Sequence, residues 1–278
     1  MNKRTGMMSL LTSVVLATQL TGAADAKKIA IDGSTTVGPI AKAFAEYYGK
    51  LHPDVVITVS ESGSGNGAKS LINGACDIAT LSRPMKPSEK KAALDAGILP
   101  IETIIAMDGI AIVVHPRNPT ANLTVEQVRK IFTGQIANWK ELGGPDLPIV
   151  VISRDTNSGT YEAFETLVMN KEKLTQKSEY VGSNGAIRQR VLNTPAAIGY
   201  VGLAFLEGVK PLSVNGVAVN EDTVADKTYP VCRPLYLYTN GRPQSGTALN
   251  DFVTLSATPE GKRIIKNTGY VPLPDAKK

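Results

Sequence analysis

The sequence predicts an α/β protein of two lobes, each a mostly parallel sheet flanked by helices. Two observations carry this. Short apolar runs alternate with stretches of helical period, which calls for crossover connections and a parallel sheet. Three of the strand-to-helix turns, at Asp32–Pro39, Glu61–Gly67 and Ser153–Thr160, are rich in Gly, Ser and Thr. A helix start leaves its first amides unpaired and carries partial positive charge, so such turns suit an oxyanion.

The first 26 residues read as a secretory leader. Lys3 and Arg4 precede an apolar run through Leu10, Leu11, Val14, Val15, Leu16 and Ala17, and Ala24-Asp25-Ala26 offers a small-residue cleavage site. The run is too short and polar-interrupted for a membrane span. No Cys stands at the cleavage site, so the expectation is a free periplasmic protein rather than a lipid-anchored one. The chain of 278 residues carries a net charge of +5, and without the leader's Lys3, Arg4 and Asp25 it is +4. That mild excess suits a small anion and argues against nucleic acid, since no basic run interleaves with the aromatics. Cys76 and Cys232 exclude a cysteine scaffold and a Cys-cluster metal site, while one disulfide between them stays open.

Lys28–Ile31 is the first expected strand, followed by a helix with Ile40, Ala43, Phe44, Tyr47 and Tyr48 on its apolar face. Val55–Val59 is the second, leading into a short helix through Leu71 and Ile72. Asp77–Leu81 is the third, ending at Ser82-Arg83-Pro84, with a charged helix over Pro87–Ala96. Two apolar runs, Ile98–Ala106 and Gly109–His115, flank Met107-Asp108, and the chain then crosses to the second lobe at Pro116–Pro119. There Thr124 caps a helix to Phe132, with Glu126 and Gln127 in its first turn. Trp139 is expected in that lobe's core. Val150–Ile152 is a buried strand, and Tyr161, Phe164, Leu167 and Val168 take up the helical period. A helix through Ile187, Val191 and Leu192, a strand at Ala197–Val201 and a turn at Asn215-Gly216 follow. Leu235–Tyr238 returns to the first lobe, which closes with helices at Thr247–Leu255 and Pro259–Asn267. The division is thus 1–26 leader, 27–114 first lobe, 115–234 second lobe and 235–278 first lobe again.

The run Gly63-Ser64-Gly65-Asn66-Gly67-Ala68-Lys69-Ser70 matches a dinucleotide fingerprint and misses a mononucleotide loop at Ala68. An exported chain meets little nucleotide, and Arg83 stands near the place of the ribose-binding acid, so only the anion-cradling physics survives. A hydrolase using Ser64 or Ser158 as nucleophile lacks a neighbouring imidazole, for His52 and His115 are the only histidines and no G-x-S-x-G elbow occurs. No cofactor and no metal are expected.

Taken in order, Gly33-Ser34-Thr35-Thr36-Val37, Gly63-Ser64-Gly65, Asp77-Ile78-Ala79 with Ser82-Arg83, Asp108-Gly109-Ile110-Ala111, Arg154 with Ser158-Gly159-Thr160, and Ala197-Ile198-Gly199-Tyr200 resemble the periplasmic phosphate-binding proteins of phosphate ABC transporters. The resemblance runs from Ile29 to about Tyr270. It implies a hinged, two-lobed type II periplasmic binding fold, a monomer that holds one phosphate and delivers it to a membrane permease. Carried over, it implies Ser34, Thr35, Thr36 and Ser64 from the first lobe and Arg154, Ser158, Gly159 and Thr160 from the second, with Ser82 at the strand end. In the enterobacterial members an Asp follows that Ser and accepts the phosphate's proton. Here Arg83 takes its place, so the acceptor role passes to Asp108, with Arg83 as its charge partner or a second fork on the anion, and Asp155 next in line. The same fold could hold sulfate or molybdate.

Overall fold

The computed structural model describes residues 27–275, so the expected leader lies outside the described residues. Seven elements open the chain: β1 (Lys27–Gly33), α1 (Gly38–Leu51), β2 (Val55–Ser60), α2 (Ser64–Ile72), β3 (Ile78–Leu81), α3 (Pro87–Asp95) and β4 (Pro100–Val114). Next come β5 (Asn122–Leu123), α4 (Val125–Thr133), β6 (Val150–Arg154), α5 (Gly159–Leu167), β7 (Glu179–Val181), α6 (Asn184–Leu192), β8 (Ala197–Gly202), β9 (Lys210–Pro211), β10 (Ser213–Val214) and α7 (Glu221–Ala225). The chain closes with β11 (Cys232–Asn240), α8 (Ala248–Thr254), α9 (Pro259–Asn267) and β12 (Val271–Pro272).

The strands run in the order β2-β1-β3-β11-β4-β8-β6-β7. At the two ends the pairs are parallel: β1 with β2 and β3, β6 with β7 and β8. In the middle, β4 and β11 run antiparallel to each other and to their outer neighbours, so the sheet is mixed. The two apolar runs around Met107-Asp108 are one continuous strand, β4, rather than two. What changes along it is its partners: Pro100–Gly109 pairs with β11, and Ile110–Val114 pairs with β8. The return strand likewise begins at Cys232, three residues earlier than its apolar run suggested.

Side chains sort into two groups of cores. One gathers α1, β1, Ile105, Ala106, Leu235, Leu237, α8 and α9, extended by α2, β3, Tyr236 and Tyr238. The other gathers Ile110–Val114, α4, Trp139, β6, α5, α6, β8 and Tyr229. We call these the first and second halves. Local chemistry explains their helices. Pro39 starts α1, whose Ile40, Ala41, Phe44 and Tyr48 are buried, and the chain breaks at His52-Pro53. Phe44 meets Phe252 of α8 edge to face at 6.0 Å. Thr124 and Gln127 form a capping box on α4, which ends at Gly134 with φ +82°. Trp139 is fully buried in a short 3-10 turn and donates from Nε1 to the Ala196 carbonyl at 2.9 Å. Phe164 stacks on Tyr200 at 4.0 Å, fixing α5 over β8.

Cys76 and Cys232 are both free thiols, pushed up by burial to about 12 and about 11. His52 stacks on Tyr48 at 4.2 Å, and His115 Nδ1 accepts from the Arg117 amide, so both imidazoles are engaged away from the serines. Among the described residues no helix is long and apolar enough to cross a membrane, and no group of three or more His, Cys, Asp and Glu could hold a metal.

Candidate functional site

The three Gly/Ser/Thr turns converge where the halves meet. In the first half, β1 ends at Gly33, where a Cβ would stand 2.2 Å from the Thr80 carbonyl, and its φ of +136° is open only to glycine. The chain can then fold Ser34 back, its amide bonding Thr80 and its Oγ accepting from the Thr36 and Val37 amides. Ser34, Thr35 and Thr36 are thereby buried at the start of α1. The second turn packs on the first: Gly63 donates to the Gly33 carbonyl at 2.7 Å, and a Cβ on Gly67 would sit 2.6 Å from Gly33 Cα. Gly67 of the fingerprint-like run is thus required by close packing of α2 on β1, and Gly63 by its φ of +99°. Ser64 Oγ accepts from the Ser82 amide at 3.1 Å and lies 3.3 Å from Ser82 Oγ.

In the second half, β6 delivers Arg154 and α5 begins five residues later. Ser158 caps α5, its Oγ accepting from the Tyr161 amide. Arg154 is 1% exposed. Its Nε and Nη2 donate to the carbonyls of Val181 and Gly182 at 3.2 and 2.9 Å, and Nη1 has no partner among the described residues. It forms no ion pair with a described carboxylate, and burial pushes its guanidinium down to about 10. Its strand neighbour Ser153 bonds the Tyr200 hydroxyl at 2.8 Å, which also accepts from the Arg154 amide.

The halves touch through these same residues. Thr36 Oγ1 and Thr160 Oγ1 are 2.9 Å apart, and the Gly65 amide donates to the Asn157 carbonyl at 3.0 Å. Gly159 abuts the facing serines so closely that a Cβ there would stand 2.3 Å from Ser64 Oγ and 2.7 Å from Ser82 Oγ. Thr36, Ser64, Ser82, Gly159 and Thr160 therefore meet at one junction, with Ser34 and Thr35 in the turn that starts α1 and Arg154 and Ser158 in the turn that leads into α5.

Two expectations need correcting. Arg83 does not pair with Asp108. Its Nη1 and Nη2 grip Glu89 at 2.7 Å each, and its Nε lies 2.8 Å from Glu162 Oε2. Asp108 instead meets Arg233, which stands directly opposite it where β4 and β11 pair. Arg233 Nε and Nη2 reach Asp108 Oδ2 at 3.0 and 2.8 Å, and the Leu203 amide takes Oδ1 at 2.9 Å. Three internal donors thus occupy this buried carboxylate, whose first task is to neutralise Arg233, so the structure gives Asp108 the place of an internal counter-ion rather than of an acceptor turned to a bound anion. Burial pushes its carboxyl up, and Arg233 pulls it only partly back.

Arg233 and Asn184 are the residues that sequence reasoning missed. Arg233 is 4% exposed and ties the junction together, donating to the carbonyls of Ser82 and Gly159 and to the hydroxyls of Thr36 and Thr160. Asn184, the first residue of α6, donates to Thr35 Oγ1 and Thr36 Oγ1 at 3.1 and 3.0 Å and accepts from the Gly202 amide. The signal for Asn184 was its place after Ser183 at a helix start; nothing local marked Arg233.

Neither candidate nucleophile is activated. Ser64 Oγ has Ser82 beside it and Ser158 Oγ serves as a cap, with no imidazole or free carboxylate bonded to either. A buried, carboxylate-free arginine among hydroxyls and helix starts defines a solute-binding module for a small oxyanion.

Residues 18–260 match the model of the PBP superfamily domain. The phosphate-binding protein PstS of Borreliella burgdorferi is 32% identical over 259 residues, covering 88% of this chain and 90% of its own, and that of Staphylococcus saprophyticus is 35% identical over 257, covering 87% and 79%. Among solved structures, a Clostridium perfringens protein with bound phosphate, described as a phosphate ABC transporter substrate-binding protein, superposes with TM-score 0.82 at 36% identity, covering 89% of this chain and all of its own. An ABC-type phosphate transport receptor from Vibrio cholerae gives 0.72 at 31%, covering 87% and 99%. The chain belongs to the PstS family of phosphate-binding proteins within the PBP superfamily.

Proposed function

We propose that this chain captures inorganic phosphate between two lobes in the periplasm and delivers it, as a monomer, to the permease of a phosphate ABC transporter. The observation that carries the reading is Arg154. A guanidinium removed from water and given no carboxylate is costly unless an anion completes its shell, and its free Nη1 is the donor such an anion would take. Around it, the hydroxyls and amides of Ser34, Thr35, Thr36, Ser64, Ser158, Gly159 and Thr160 supply donors from both halves, with Ser82 backing Ser64. The relatives named for phosphate support the same ligand, and no basic surface run recommends nucleic acid.

In this reading the lobes are residues 27–109 with 232–275, and 110–231. The expected crossing at Pro116 moves back to Asp108-Gly109, because Ile110–Val114 pack with the second half. Contacts to both lobes favour the closed form, so ligand binding and closure are one equilibrium.

Equilibrium dialysis with labelled phosphate, alone and against excess sulfate or molybdate, is the test, run beside a chromogenic phosphate ester. Saturable phosphate binding resisted by neither competitor, with no ester turnover, is expected. Absence of binding sinks the reading, and displacement by sulfate changes the anion.

A further inference from the structure

Arg83 stands beside the site without belonging to it, and its contacts give it a different task. It follows Ser82 directly in the first half, and Glu89 of α3 holds its guanidinium bidentately at 2.7 Å. So fixed, it presents Nε to Glu162 of α5 at 2.8 Å, an ion pair by distance, since Nε–H is not aimed along a hydrogen bond. Lys86 Nζ reaches the same Glu162 oxygen at 2.9 Å from the rim. The Arg83 and Glu162 side chains are only 6% and 13% exposed. They line an apolar cavity of about 390 Å³ shared with Met85, Ala163, Leu167 and Pro234, surroundings that screen the pair less than water would.

The register ties this pair to the anion site. Glu162 lies three residues beyond Gly159 on α5, hence on the same face one turn along. Gly159 packs on Ser64 and Ser82. The Ser82–Gly159 contact and the Arg83–Glu162 pair are therefore successive rungs of one seam between the halves. Opening the seam must break both.

We infer that Glu162, held by Arg83 and Lys86, is a positioning residue that keeps the first turn of α5 docked on the end of β3 and so sets how long phosphate stays bound. The inference rests on the phosphate-binding reading above. It touches no anion, so its effect falls on release rather than capture: a free charge pair at the rim of an open cleft does little to the encounter, whereas in the closed form it must separate before the ligand leaves.

Labelled phosphate is released into excess unlabelled phosphate from the full chain and from Glu162→Gln, which keeps shape and loses charge. The expected release rate rises about tenfold, between the small worth of exposed pairs and the large cost of breaking buried ones, with the association rate within twofold. Arg83→Lys, which keeps the charge and loses the fork, should speed release in the wild-type background and add nothing in the Glu162→Gln background, because both act through one contact. A Glu162→Gln chain that binds phosphate and releases it within twofold of the wild-type rate overturns the inference alone. A wild-type chain that holds no phosphate overturns the binding reading and this inference with it.

Discussion

Replacing Arg154 by alanine is the sharpest perturbation the site offers. The side chain makes two hydrogen bonds to the carbonyls of Val181 and Gly182 and leaves Nη1 free. An anion docked on that nitrogen gains one or two charge-assisted bonds, each about 1.5–3 kcal/mol, so removal should cost about 3 kcal/mol of binding free energy. That corresponds to a dissociation constant roughly a hundredfold weaker. Stability should change far less: two carbonyls lose a donor, but a buried cation without a counter-charge is removed as well. Burial pushes the guanidinium only to about 10, so the charge persists through pH 9 and the difference between wild type and variant should persist with it. Arg154→Lys restores a charge without the fork and should recover only part of the loss. Dialysis of labelled phosphate, with circular dichroism melts to show that each variant folds, measures all of this. A folded Arg154→Ala chain that binds phosphate within threefold of wild type would refute the reasoning and remove Arg154 from the site.

The other variants separate closure, folding and selectivity. Gly159→Ala places a methyl 2.3 Å from Ser64 Oγ in the closed arrangement; opening the cleft relieves the clash, so phosphate affinity should fall more than tenfold while the melting temperature stays within a few degrees. Gly67→Ala sets its methyl against the backbone of β1 at Gly33, a contact that opening cannot relieve, so it should destabilise the chain by about 1–3 kcal/mol in melts made without ligand. Asp108→Asn strips the counter-charge from buried Arg233 and should cost about 3–5 kcal/mol of stability, yet sulfate should compete no better than in wild type. Effective sulfate competition confined to the Asn variant would return the acceptor role to Asp108.

Much of this architecture could be read from the chain because its signals are local. The alternation of Val- and Ile-rich runs with Gly/Ser turns marks β1, β2, β3 and β6, and the Ser158-Gly159 start of α5 follows from capping chemistry. The misreadings share one cause, partners distant in sequence. Asp108 inside an apolar stretch looks like a break because a lone carboxylate does not belong in a buried strand. Arg233, 125 residues away, faces it across β11 and satisfies it, so the strand runs on. Arg83 looks like the natural partner for Asp108 because it stands at the end of a neighbouring strand. Its true partners are Glu89, which the sequence shows only as part of the charged helix over Pro87–Ala96, and Glu162, which nothing in the sequence marks for this role.

Charge accounting at the junction supports Arg154 as the arginine that would serve the ligand. Three guanidinium groups are buried there, and burial penalises each one. Glu89 and Glu162 neutralise Arg83, and Asp108 neutralises Arg233, whose remaining donors go to carbonyls and hydroxyls. Only Arg154 of the three is left with neutral carbonyls and an unpartnered nitrogen. A fourth carboxylate at that point would have neutralised the third arginine as well and closed the site to anions. Its omission leaves one positive charge whose best available partner arrives from solvent. Thr36, Thr160, Asn184 and Arg233 bond one another across the same junction, so under the proposed reading an anion held by Arg154 and by first-half hydroxyls together would favour the arrangement in which the halves are pressed together.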